Sequence, residues 1–157
     1  MKASEYRDLI AAYVHVNFAS RGLVVYTEVS FGRSIIGKNR RIDVFVVRES
    51  RIALAIECKY QDVQGTTDEK IPYAIQDLEA LRIPGCLCYA GEGWSEGVMH
   101  ALRASKIAAR CHPKAPALAR TDDTKQLDHV IAATFELWDD EEILPPNRRF
   151  VVTSPRS

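Results

Sequence analysis

The sequence predicts a mixed α/β domain built on one sheet. Three observations carry this. Helical and strand-like periodicities alternate along the 157 residues, and 46% apolar with 27% charged residues is ordinary for a globular chain. Lys+Arg and Asp+Glu both number 21, which removes the signature of a disordered chain of high net charge. No apolar run approaches the roughly 18 residues that a membrane span needs. The expectation is one domain over 1–157, with a core at about 4–90, a helical elaboration at about 94–140 and a tail at 143–157.

Taken in order, residues 4–19 form a helix, with Ser4 as N-cap and Leu9, Ile10, Tyr13 and Val14 on one face. Gly22 stands where that helix stops. Residues 23–29 are β-branched and aromatic and predict a strand. Residues 30–41 hold two glycines and no acid, a loop or hairpin turn. Residues 42–48 and 52–60 are the second and third strands, joined by the turn 49–51.

A helix follows at 68–82, with Pro72 in its first turn and Ile71, Ala74, Ile75, Leu78 and Leu81 inward. Pro84-Gly85 ends it, 86–90 is a fourth strand, and Gly91-Glu92-Gly93 a turn. Residues 95–109 and 124–138 are two further helices, the second with Leu127, Val130, Ile131, Phe135 and Trp138 on one side. Trp94 and Trp138 are assigned to the core, and base stacking is the alternative for Trp94. A basic tail closes the chain.

No secretory leader is legible, so a reducing, cytoplasmic setting is expected. Cys86, Cys88, Cys111 and His112 form a poor zinc set, because the first two lie in an apolar strand. The four cysteines, Cys58 included, are expected to be buried core thiols.

The third strand carries the chemistry. In Ile52-Ala-Leu-Ala-Ile-Glu-Cys-Lys-Tyr60 the even positions are apolar. The odd positions end in Glu57 and Lys59, on one side and about 6.5–7 Å apart. Charges at the end of an apolar strand call for a partner or a metal. An ion pair at a strand end is the competing reading. Asp43 interrupts the preceding strand, where Asp is disfavoured. If the turn centres near Ser50, residues whose numbers add to about 100 lie opposite each other. Asp43 then faces Glu57. Two carboxylates so close repel, and a divalent cation relieves the repulsion. An oxygen-rich site suits magnesium, with manganese as substitute, rather than zinc.

Asp43 followed by Glu57-Cys58-Lys59 resembles the PD-(D/E)xK nuclease superfamily. The resemblance implies a restriction-endonuclease-like core: helix, three antiparallel strands, helix and strand, here with two further C-terminal helices. It implies that Asp43 and Glu57 are metal ligands, that the Cys58 carbonyl is another, and that Lys59 is catalytic. Gln61 follows the lysine by two positions, as in several branches, and is assigned to the catalytic set. Glu5 resembles the helix glutamate of resolvase-like members, and Glu28 could serve the same purpose as a ligand. Ile42 departs from the family's proline before the aspartate.

The basic segment Arg33, Lys38, Arg40 and Arg41, with Lys70 and Gln76 on the exposed face of the 68–82 helix, is assigned to nucleic acid. A solvated hairpin and a solvated helix face are the alternatives. The function expected is a magnesium-dependent DNA endonuclease. The alternatives are a non-cleaving nucleic-acid-binding module or a subunit of a larger complex. A homodimer is expected, with its interface on the 124–138 helix and the tail.

Overall fold

The hairpin at the centre of the sequence forms with the anticipated register. Strand β2 (Asn39–Arg48) and strand β3 (Ile52–Tyr60) are antiparallel, and Val44 pairs with Ile56 and Phe45 with Ala55. Glu49 and Ser50 both take left-handed backbone, φ 54° and 55°. Arg48 pairs with Ile52, so a three-residue turn joins the strands, closed by the Arg51 N–H on the Arg48 carbonyl at 3.1 Å. The computed structural model describes residues 1–33 and 37–154. Ser34, Ile35 and Ile36 of the predicted basic loop, and residues 155–157 of the predicted tail, lie outside them.

Helix α1 (Ala3–Phe18) runs into a short 3-10 turn and stops at Gly22, which takes φ 81°. Its N-cap is Lys2, so Ser4 lies inside the helix. Its buried face is Tyr6, Ile10, Tyr13, Val14 and Phe18. Strand β1 (Leu23–Arg33) pairs antiparallel with β2 and reaches four residues further than expected. Helix α2 (Thr67–Glu79), strand β4 (Gly85–Ala90), helix α3 (Glu96–Ala104), strand β5 (Ala108–Arg110) and helix α4 (Lys125–Phe135) complete the chain.

The sheet has five strands in the order β1-β2-β3-β4-β5. The first three are antiparallel, with too few residues between them for a crossover, and β3, β4 and β5 are parallel because helices cross between them. Helices α1 and α4 cover one face with Val44, Val46, Leu54 and Ile56 beneath them. Helices α2 and α3 cover the other face at β4, with Leu87 and Tyr89 beneath.

Three expectations are corrected. The predicted helix 95–109 stops at Ala104, and Ala108–Arg110 is a fifth strand. Three residues are too few to show an alternation. Pro72 lies inside α2 rather than in its first turn, because the helix already starts at Thr67. Trp138 falls beyond the end of α4 and is 50% exposed, whereas Trp94 is buried. The stripe Leu127, Ile131, Ala132 and Phe135 of α4 is consumed by the chain's own core. That stripe is therefore not open to a second copy. The exposed apolar residues of this region are Trp138, Leu144, Phe150, Val151 and Val152.

All four cysteines are free and buried. The hydroxyl of Tyr6 donates to the carbonyl of Cys111 (2.6 Å) and lies 3.4 Å from the Cys88 sulfur. Among the described residues no helix is long and apolar enough to cross a membrane.

Candidate active site

The β2–β3 ladder ends at Val44 and Ile56, one step short of Asp43. There a side chain replaces the main chain: Asp43 Oδ2 accepts the N–H of Cys58 at 2.8 Å. This bond stands in for a ladder bond and holds the aspartate against the end of β3. Glu57 lies opposite Asp43 in the same register, close enough for the aspartate to act on its carboxyl. Two adjoining strands thus deliver two half-buried carboxylates to one point on one face.

The electrostatics follow from that contact. Burial, then the hydrogen bond and the charge of Asp43, push Glu57 from an ordinary 4.5 up to about 9. Asp77 of α2 adds to the rise and Lys59 opposes it. A carboxyl held there keeps its proton at neutral pH. Lys59 lies two residues along β3 and is half-buried.

This donor set fits a hard divalent cation. It offers two converging carboxylates, and the carbonyl of Cys58 leaves β3 on the same edge as the N–H that Asp43 accepts. Among the described residues no three His, Cys, Asp or Glu side chains form a complete cage. A small divalent cation that keeps several of its waters can bind through such a partial set of one or two carboxylates.

The remaining predicted residues divide. Glu28 lies in β1 between Thr27, the partner of Val44, and Val29, the partner of Ile42, so it stands level with Asp43. It takes an unusual left-handed backbone, φ 53°, and its carboxylate pairs with Arg7 of α1 at 2.8 Å. Glu5 accepts the Lys2 main-chain N–H at 3.3 Å and serves the helix start. The same end of α1 approaches the end of β3, with Tyr6 and Tyr60 rings 5.4 Å apart.

Gln61 is buried, and its side-chain amide donates to Asp68 and to the Gly93 carbonyl, both at 2.8 Å. Its Oε1 is buried without a partner. The structure thus places Gln61 between the end of β3, the start of α2 and the Gly91–Gly93 turn. A Cβ at Gly91 would meet the Gln61 carbonyl oxygen at 2.2 Å, so only glycine lets the two segments meet there.

Arg33, Lys38 and Arg41 are exposed beside β2, and Lys70, Tyr73 and Gln76 on α2. Arg40 is a correction. It is only 8% exposed and forks onto the Asp77 carboxylate, its Nε at 3.0 Å, instead of facing solvent. Asp77 was not singled out by the sequence. It lies on the helical stripe of Lys70 and Tyr73, a polar position whose partner comes from a distant strand. Arg7 likewise had no local signal.

The buried pair carries a prediction. Arg40→Ala strips the half-buried Asp77 of its guanidinium fork and is expected to cost about 2 kcal/mol. Chemical denaturation measures this, and an unchanged midpoint refutes it.

A family model described as a PD-(D/E)XK nuclease superfamily domain matches residues 2–138. The crystal structure of the protein of unknown function AF1548 is similar at 17% identity with a TM-score of 0.43. That similarity covers 65% of this chain and 56% of the other. No curated protein matches.

Proposed function

The chain belongs to the PD-(D/E)XK nuclease superfamily, and from that premise we propose that it is a magnesium-dependent DNA endonuclease. Nucleases of this superfamily generally use divalent metals. One observation carries the reading. Asp43 and Glu57 stand side by side at the ends of neighbouring strands, Asp43 fixed on the Cys58 N–H and Lys59 two residues beyond. A fold has little reason to press two acids together at a strand end unless something neutralises them in the working state.

A divalent cation bound here supplies charge for the phosphate and acidity for the attacking water. Asp43 and Glu57 would hold it, Glu57 as the ionised carboxylate. The Cys58 N–H keeps Asp43 in place. Lys59 would orient the water and offset charge that builds on the phosphate. Arg33, Lys38 and Arg41 meet the backbone of the nucleic acid, with Lys70 and Gln76 alongside. Cutting both strands of a duplex calls for two sites and hence a homodimer.

Plasmid nicking with magnesium or manganese tests the proposal. Wild type is expected to nick supercoiled DNA, and Lys59→Ala to lose at least about a hundredfold in rate with its circular dichroism unchanged. Retention of DNA by a wild type that never nicks it identifies a non-cleaving binding module instead.

A further inference from the structure

One more charged pair borders Asp43. Glu28 of β1 stands level with that aspartate, and the β1–β2 ladder skips this position, passing from the pair Thr27 and Val44 to the pair Val29 and Ile42. Glu28 also holds left-handed backbone, φ 53°, which a residue with a Cβ adopts only under strain. Strain of this kind persists where the surrounding structure imposes it, and it gathers at working sites.

Arg7 of α1 closes the arrangement. Its Nη1 lies 2.8 Å from a Glu28 carboxylate oxygen, and its Nη2 and Nε both lie 3.0 Å from one oxygen of Asp8. The hydrogen bond to Asp8, opposed by burial, and the charges of Asp8, Glu28 and Asp43 raise its pKa. The guanidinium therefore acts across to the aspartate of the candidate site. Both of its partners face water, with the side chains of Glu28 and Asp8 49% and 64% exposed, so each pair is weak and exchangeable. Arg7 itself is only 18% exposed, so its place against the fold does not depend on either acid. A planar guanidinium beside a cation-binding carboxylate suits a phosphate oxygen.

We propose that Arg7 binds a phosphate of the nucleic-acid strand beside Asp43, and that Glu28 occupies its guanidinium until that phosphate replaces the carboxylate. Glu28 is then a stand-in, an anion held at the place the incoming anion takes. The exchange moves no proton and makes no covalent bond, and Glu28 turns to water as the phosphate arrives. Arg7 flanks the acid pair on the Asp43 side, and Lys59 on the Glu57 side. That the bound phosphate lies next to the cut bond rests on the nuclease reading; the exchange itself does not.

Anisotropy of a labelled DNA duplex tests this in the full chain carrying Lys59→Ala, which is expected not to cut, with manganese present. Adding Arg7→Ala is expected to weaken the duplex about tenfold and to make the log–log salt dependence shallower by about one. Arg7→Lys keeps the charge and is expected to restore that slope. Glu28→Gln releases the guanidinium and is expected to tighten binding, and the gain should vanish when Arg7→Ala is added. A pair that only pins α1 to β1 behaves differently: both substitutions lower the melting temperature and neither moves the slope. That pattern, or an Arg7→Ala protein that binds as before, overturns the proposal. Should Arg7→Ala fail to fold by circular dichroism, Glu28→Gln decides, and binding no tighter than the parent overturns it. A slope that depends on Arg7 in a chain whose wild type never nicks plasmid removes the nuclease reading and keeps the phosphate contact. Nicking with an unmoved slope does the reverse.

Discussion

Asp43→Asn is expected to lower metal-dependent cleavage about a hundred- to a thousandfold while leaving the molecule folded. Asparagine keeps a carbonyl oxygen where Asp43 Oδ2 accepts the Cys58 N–H, so the local end of the β2–β3 hairpin survives. It removes the negative charge that a cation needs. It also removes the charge that helps hold Glu57 near 9, so the glutamate should ionise at lower pH in the variant. Two measurements check this together: plasmid nicking, and the rise in melting temperature on adding manganese, which wild type should show and the variant should largely lose. An Asp43→Asn protein that cuts at the wild-type rate removes this aspartate from the chemistry.

Glu57 imposes a pH dependence of definite sign. Its carboxyl is held at about 9 in the folded protein against an ordinary 4.5. Below pH 4.5 both folded and unfolded chains hold the proton, and the stability linked to this group is fully present. As pH rises, the unfolded chain releases the proton first, so the folded state loses ground until the folded group ionises near 9. One proton sets a ceiling of about 1.4 kcal/mol per pH unit on that slope.

Glu57→Gln has no proton to release. Its melting temperature should therefore fall less than that of wild type between pH 6 and 8, and above pH 8 it should be the more stable protein. A bound cation displaces the same proton, so manganese affinity in wild type should rise with pH up to about 9. Parallel melting profiles for the two proteins refute the assignment.

The hairpin shows why so much of the candidate site was legible. Strand side chains alternate with period two, and a short turn ties the register of its strands. Once Ile52–Tyr60 and Ile42–Val47 read as strands about Ser50, Asp43 and Glu57 had to be neighbours. Their adjacency was arithmetic on local signals. Gly22 was legible for the same reason, since ending a helix with φ 81° is a local demand on one residue.

What escaped the sequence is what depends on elements meeting from afar. Arg40 reads as one basic residue among four, yet α2 brings Asp77 over it and buries the pair. Glu28 reads as a strand-end acid, yet β1 continues past it and α1 supplies Arg7. The edge strand Ala108–Arg110 takes its conformation from β4 rather than from its own three residues.

The sequence by itself therefore determined the element order through β4, the hairpin register and the pairing of Asp43 with Glu57, because these follow from periodicities within a few residues. Only the tertiary structure decided which charges are spent on ion pairs and which acid keeps its proton. Those outcomes depend on desolvation and on contacts between residues tens of positions apart, for which a linear sequence holds no local signal.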